Sequence, residues 1–393
     1  MSGFTIARQP RLIVQEDGIA QLPGLLGDDA HTAVIIVTGG RSIRGREQWA
    51  RLMDALLEQG LEFLEFTVRG EPSPGSVDAI VSETRRELPQ CSAVVAIGGG
   101  SVIDTGKAAA AGLGLAGEES SGGIGRYLEG VGDLDHPGRT LLLYALPSTA
   151  GTGSEATKNA VLSETGPAGF KKSLRHDNFI PHTALIDPLL HLECPRAVTV
   201  ASGLDAVTQL VEAFVSTKAN PITDALALQG LRLAGPALET LAGGTDSPHL
   251  RRDMAVAAYL SGVCLANAGL GLVHGFASPL GARHEIPHGV VCGLLVGPVS
   301  RATVSAMQEL SDSAGIARYA AAARALGLPT EEGVAAGSQL VQWFRELAGG
   351  LGRLSDYGFD DSEIDDLAHA SGLKNHPIDL TAAQRAEILR EVL

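Results

Sequence analysis

AVVAIGGGSVIDTGK, residues 93–107, sets an unbroken apolar run against three glycines and then a helix-compatible stretch. The run 93–97 predicts a buried strand, Gly98, Gly99 and Gly100 a turn, and Ser101 the start of a helix. Glycines let a ligand approach the backbone closely, and a helix N-terminus offers free N–H groups at its positive dipole end. That combination suits a pyrophosphate. The spacing is not GxGxxG, so the ordinary Rossmann fingerprint does not apply. Taken alone, a tight strand–helix turn without a ligand explains these residues equally well, and Asp104 and Lys107 read equally well as ordinary first-turn helix residues.

Outward from this stretch the same alternation continues. TAVIIVTGG (32–40) predicts a strand ending in glycine, REQWARLMDALLEQG (46–60) a helix stopped by Gly60, and LEFLEFTV (61–68) a strand. VDAIVSETRREL is helical in spacing, 116–139 is loop-like, and TLLLYALPST (140–149) is another strand, with NAVLSE and TALIDP as further ones. Strands alternating with helices imply a parallel sheet covered by helices. The texture changes at Pro195. PRAVTVASGLDAVTQLVEAFVS, RRDMAVAAYLSGVCLANAG, VSRATVSAMQELSDSAG and TAAQRAEILREVL carry three- and four-residue apolar spacing. The expected organisation is an α/β dinucleotide-binding domain over 1–194 and an all-helical domain over 195–393.

The bulk numbers remove several classes of function. A formal charge of −15 argues against nucleic acid or an anionic membrane as bulk partner. No run reaches about 18 uninterrupted apolar residues, so no membrane helix is expected. The N-terminus lacks a basic segment followed by an apolar one, so a cytoplasmic protein without a signal peptide is expected. Cys91, Cys194, Cys264 and Cys292 form no CxxC pair and read as buried, reduced thiols.

Two further groups could carry chemistry. PSTAGTGSEAT (147–157) follows a strand and gathers Ser148, Thr149, Thr152 and Ser154, which could bond phosphate or ribose or simply form a solvated turn. In SGLDAVTQLVEAF, Asp205 and Gln209 lie four residues apart on one helix face. With His274 in GLGLVHGFASPLGA and His288 in EIPHGVV they could bind a divalent ion, or each could be an ordinary satisfied polar residue.

GGGSVIDTGKAAA, PSTAGTGSEAT, SGLDAVTQLVEAF and HGFASPLGARHEIPHG occur in this order, and together they resemble the motif set of the iron-containing (group III) alcohol dehydrogenase family. The likeness runs from VTGG near residue 37 to beyond residue 290. It implies a dinucleotide domain followed by a helical one, an architecture shared with dehydroquinate synthase, with the active site between them. It implies hydride transfer between NAD(P)(H) and an alcohol or aldehyde carbon, assisted by a divalent metal such as Fe2+ or Zn2+, and a homodimer. By position, Gly98, Gly99, Gly100 and Ser101 would hold the pyrophosphate, with Asp104 beside them. Thr149 and Thr152 would line the cofactor site, Lys171 would contact the cofactor, with Lys172 as a one-residue alternative, and Asp205, His274 and His288 would bind metal.

The chain departs from that family at two positions. Gln209 stands where a fourth, histidine ligand is usual, and Ser278 where a second histidine lies near the reacting carbon; His284 is the candidate replacement. After the first strand of the alternation an aspartate commonly selects NAD, whereas this chain has Gly39, Gly40, Arg41 and Ser42, with Arg44 beyond. Loss of the carboxylate and gain of basic groups suits a 2′-phosphate, so NADP is expected over NAD. Arg175 and His176 could recognise an anionic aldehyde, or be a solvated basic stretch. A lyase on the same scaffold, and a non-catalytic nucleotide-binding protein with a decayed metal site, are the competing readings.

Overall fold

The computed structural model describes residues 3–166, 169–329 and 333–393; the side chain of Arg41 lies outside the described residues. Among the described residues there are eight strands: β1 (Arg11–Val14), β2 (Ala33–Thr38), β3 (Glu62–Thr67), β4 (Ala93–Gly98), β5 (Leu142–Pro147), β6 (Asn159–Glu164), β7 (Phe170–Arg175) and β8 (Thr183–Ile186). Six form one sheet in the order β1-β8-β5-β4-β2-β3, every neighbouring pair parallel. β2 and β4, the continuous apolar runs, are buried along their whole length, as expected for central strands covered on both faces.

The register aligns the ends of three strands. Thr38 is level with Ile97, and Gly98 with Pro147. The chain runs from β2 outward to β3, then returns across β2 to β4 and goes on to β5. The direction of winding therefore reverses between β2 and β4. In open parallel sheets ligands bind at such a reversal, beyond the carboxyl ends of the strands. The loops leaving β2, β4 and β5 all begin there.

The sequence reading needs two corrections. NAVLSE does form a strand, β6, but it pairs antiparallel with β7 outside the main sheet. Neither β7 nor β1 was expected: FKKSLR is charged and RLIV lies at an exposed edge, so neither offers a buried run.

Beyond β8 a short turn, Pro188–His191, leads to helices. Pro195 caps the helix Arg196–Val215, which is buried along nearly all its length. Around it pack Pro221–Ala242, Pro248–Ala268, Leu272–Arg283 and His288–Glu309, sharing one large apolar core. VSRATVSAMQELSDSAG is not one helix. It breaks at Ser311, whose φ of 59° is left-handed, and a new helix, Ser313–Ala325, begins beyond it. Arg196–Val215 and His288–Glu309 are long and apolar enough to cross a membrane by length and composition. Here most of their surface is covered by protein, 89% and 72% buried over their most apolar stretches, so their apolarity serves the helical core.

Candidate active-site cleft

A cleft of about 560 Å³ opens where the carboxyl ends of the strands meet the helices. One wall is the turn after β4. The helix Gly100–Gly114 begins without a side-chain cap; Val102 and Ile103 N–H donate to Gly99 O at 3.0 and 3.1 Å, so the Gly100 and Ser101 N–H groups at the helix start have no such partner. Gly100 and Ser101 line the cleft. A Cβ on Gly99 would lie 3.2 Å from Thr149 Oγ1, and one on Gly100 2.7 Å from Thr152. The two expected loops are thus packed directly against each other, with no room for a side chain between them. Beyond β2, a Cβ on Gly39 would meet only Val102 at 3.7 Å, and one on Gly40 nothing.

Asp104 is spoken for. It accepts from Ser154 Oγ and from Val161 N–H at 3.0 Å, tying the second loop and β6 to the helix. Lys107 is wholly buried, with Nζ donating to Thr157 Oγ1 at 3.0 Å and Asn159 O at 2.6 Å. Arg44 is held by Glu65 at 3.0 Å and stacks on Trp49, so its charge is already paired.

The opposite wall is a cluster of donor atoms. Asp205, from the helix Arg196–Val215, places Oδ1 3.3 Å from His274 Nε2 and 3.7 Å from His288 Nε2. Cys292 Sγ lies 3.7 Å from each of those same two nitrogens. Ligand atoms of all four residues fall within 4.8 Å of one another. His274 Nδ1 lies 2.7 Å from Glu212 Oε2, and Glu212 Oε1 accepts from Val273 N–H at 2.7 Å. A buried carboxylate thus aims the other imidazole nitrogen at the cluster, the usual support for a metal-binding histidine. Gln209 Oε1 accepts from the Ser261 hydroxyl at 2.9 Å.

The electrostatics fit a cation. Burial works against ionisation of Asp205, but His288 and His274 outweigh it and hold the carboxyl at about 2. Burial drives His288 down to about 4, with Lys171 and His274 adding to the shift. Burial also pushes the Cys292 thiol up to about 12. Two imidazole nitrogens, a carboxylate and a sulfur converging in a buried space form a donor set that suits a divalent transition metal.

Strand alternation decides between the two lysines. Lys171, Ser173 and Arg175 share one face of β7 and line the cleft, while Lys172 points the other way. Lys171 Nζ is paired with Glu71, whose carboxyl is held low: burial raises it, and Lys171 overcomes that. Ser278 lines the cleft beside His274. His284 does not: its Nε2 is bound to Glu363 at 2.9 and 3.1 Å and its ring stands edge-on to Phe359, because the helix ends at Arg283 and the chain turns outward. Arg175 lines the cleft, whereas His176 packs towards Gly138 and Phe179. Glu71, Lys158 and Lys374, unforeseen from the sequence, also line it. Cys292 was expected to be an inert buried thiol; its spacing of four from His288 on an apolar helix was the one available signal.

Residues 9–188 match the iron-containing alcohol dehydrogenase family, and residues 199–393 match the C-terminal part of the Fe-containing alcohol dehydrogenase family. The chain belongs to the iron-containing alcohol dehydrogenases. It is 36% identical over 255 residues to 1,3-propanediol dehydrogenase of Klebsiella pneumoniae, a match covering 65% of this chain and 63% of that one. Alcohol dehydrogenase 4 of Saccharomyces cerevisiae (strain YJM789) is 35% identical over 276 residues, covering 70% and 69%. The crystal structure of a 1,3-propanediol oxidoreductase superposes with a TM-score of 0.86 at 27% identity, covering 100% of both chains. The α/β-plus-helical architecture inferred from the sequence is that of these family structures.

Proposed function

We propose that the protein is an NAD(P)-dependent alcohol dehydrogenase or aldehyde reductase whose chemistry takes place in this cleft. One observation carries the reading: the uncapped helix start at Gly100–Ser101 and the cluster of His274 and His288 open onto the same cavity. A dinucleotide whose pyrophosphate rests on the glycine turn would extend towards the donor atoms. Residues 1–194 would then supply the cofactor wall and 195–393 the metal wall.

Asp205, His274 and His288 are the residues that would hold a divalent metal, with Glu212 fixing the orientation of His274. Such an ion supplies Lewis-acid polarisation of a carbonyl oxygen, which lowers the barrier to hydride attack by several kcal/mol. The chain's own contribution is to orient and to move a proton. A bound nicotinamide would supply or accept the hydride at the carbonyl carbon, which leaves the chain to give the oxygen a proton in reduction and to take one in oxidation. With His284 turned out of the cleft, the Ser278 hydroxyl is the side chain placed to relay that proton to water. Lys171, neutralising Glu71, stands at the cofactor side.

Two finer points belong to the same reading. NADP(H) is the expected cofactor, supported by the absence of a carboxylate at Gly39 and Gly40 and the open space around them; Arg44, paired with Glu65, adds little. The expected substrate is an aldehyde or alcohol, with an anionic one supported by Lys374 in the lining; Arg175 and Lys158 line it too but are paired with Glu129 and Asp177. A homodimer is the expected assembly. NADPH and NADH oxidation against a panel of neutral and anionic aldehydes is the test. No turnover with any of them, despite bound cofactor, would refute the dehydrogenase reading and return the chain to the nucleotide-binding or lyase alternatives.

A further inference from the structure

The family resemblance puts Gln209 where a fourth metal ligand belongs, but the geometry points to a different residue. We propose that Cys292, as a thiolate, is an inner ligand of the metal, and that Gln209, engaged by Ser261, is not. The inference rests on the metal reading above and makes it specific.

The argument begins with distances. Ordinary ligand lengths are about 2.0–2.1 Å to imidazole nitrogen, about 2.0–2.2 Å to carboxylate oxygen and about 2.3 Å to thiolate sulfur, in a tetrahedron. The edges of such a tetrahedron are then roughly 3.3–3.5 Å for nitrogen–oxygen and roughly 3.6 Å for nitrogen–sulfur. The four donor atoms here are separated by 3.3 and 3.7 Å for oxygen to the two nitrogens, and by 3.7 Å for sulfur to each nitrogen. Four of the six edges therefore lie close to those of an N2OS tetrahedron, with donor atoms from three helices all within 4.8 Å of one another. Cys292 is fully buried, and its recorded polar neighbours are those two imidazole nitrogens. It approaches the cluster from the closed side, while His288 and Gln209 line the cleft.

Gln209 is engaged elsewhere. Its oxygen, the atom that would ligate a metal, accepts from the Ser261 hydroxyl at 2.9 Å. Turning that oxygen towards the metal would break this contact inside a buried region.

The chemical consequence is selectivity. With Gln209 as fourth ligand the site would carry one negative charge; with Cys292 it carries two, and the thiol proton is released to solvent as the metal binds. Thiolate is a soft donor and favours zinc over manganese and magnesium, whereas a site of nitrogen and oxygen donors alone discriminates less.

The test uses the full chain, stripped with a chelator and titrated with Co2+ in an anaerobic spectrophotometer. One equivalent should produce intense visible d–d bands together with a near-ultraviolet thiolate-to-cobalt charge-transfer band. Cys292→Ser should lose the charge-transfer band and bind Co2+ and Zn2+ about tenfold or more weakly. Gln209→Ala should keep the band. A Cys91→Ser, Cys194→Ser, Cys264→Ser triple variant should also keep it, so the wild type and this variant decide the point even if Cys292→Ser does not fold. One Co2+ bound without a charge-transfer band, in a manner abolished by His274→Ala, would overturn the role of Cys292 and leave the metal reading standing. No stoichiometric binding of Co2+ or Zn2+ would overturn both.

Discussion

The glycine turn after β4 and the donor cluster among the helices face each other across one cleft, yet they are assembled in opposite ways. The turn is local: Gly98 to Ser101 are consecutive, and what they present is backbone, free N–H groups and an absence of side chains. The cluster is distributed. Asp205, His274 and the pair His288 and Cys292 come from three helices, and what they present is side-chain atoms whose spacing no single helix sets. A local site tolerates shifts of distant elements but fails at once if a Cβ is added. A distributed site tolerates changes in its own backbone but depends on the packing that brings its helices together and on the groups that aim each ligand.

The sharpest way to break this contrast is to spoil one wall and watch the other. Gly99→Val would drive a branched side chain into Thr149, which already lies 3.2 Å from an added Cβ. Calorimetry should show NAD(P)H affinity reduced by more than about 1000-fold, roughly 4 kcal/mol, with metal content unchanged because the glycine turn supplies none of the clustered donor atoms. Loss of metal in the same variant would show that the walls are coupled.

A joint between the walls should respond to acid. His191 sits in the turn leading from β8 to the helices, fully buried, with Arg251 and Arg46 nearby; burial, reinforced by those two cations, lowers it from 6.5 to about 3. A base depressed on folding binds fewer protons in the native state, so the stability it supports is present above 6.5 and is lost as pH falls towards about 3. Between pH 7 and pH 4 this group alone should remove about 3 kcal/mol of stability. Urea unfolding across that range measures it, and His191→Leu should flatten the slope. An unchanged slope in the variant would assign the acid sensitivity elsewhere, with His136 and His376, both driven to about 4 chiefly by burial, next in line.

Aiming is the property that only the distributed wall needs. Glu212→Gln keeps the shape but removes the charge that faces His274 Nδ1 at 2.7 Å. Zinc affinity, read by competition with a chromophoric chelator, should fall by about 10- to 100-fold, with dinucleotide affinity unaltered. Equal zinc affinity would mean the helices alone position the ligand.

The smallest effect tests the open end of the local wall. Gly39→Asp has room for its Cβ, with only Val102 at 3.7 Å. The new carboxylate should lower kcat/KM for NADPH relative to NADH by about tenfold, roughly 1.4 kcal/mol. A wild type that already prefers NADH tenfold would remove the basis for the NADP assignment.

The two walls were legible to different degrees, for the same reason that they differ physically. The strand–glycine–helix order at 93–107 could be read directly because each residue there acts through its own backbone. The fully apolar runs of β2 and β4 were legible because central parallel strands need no alternation. Lys171 could be narrowed only to a pair, since β7 is too charged to announce itself as a strand; the hairpin then separates the neighbours by face. His284 misled for a related reason. It is a histidine close in sequence to two ligands, yet the helix end at Arg283 turns it to Glu363.

The sequence alone determined that a parallel sheet with a glycine turn precedes a helical half, and its resemblance to the family singled out Asp205, His274 and His288 as candidate metal ligands. Those properties follow from apolar periodicity, from glycine and from short motifs, all of which are local along the chain. Only the tertiary structure decided that Cys292 joins the cluster, that Gln209 is held by Ser261, and that the glycine turn and the donor atoms open onto one cavity. Each of these is a distance between residues dozens of positions apart. Such distances are set by how the helices pack over the carboxyl ends of the strands, and no residue carries that information by itself.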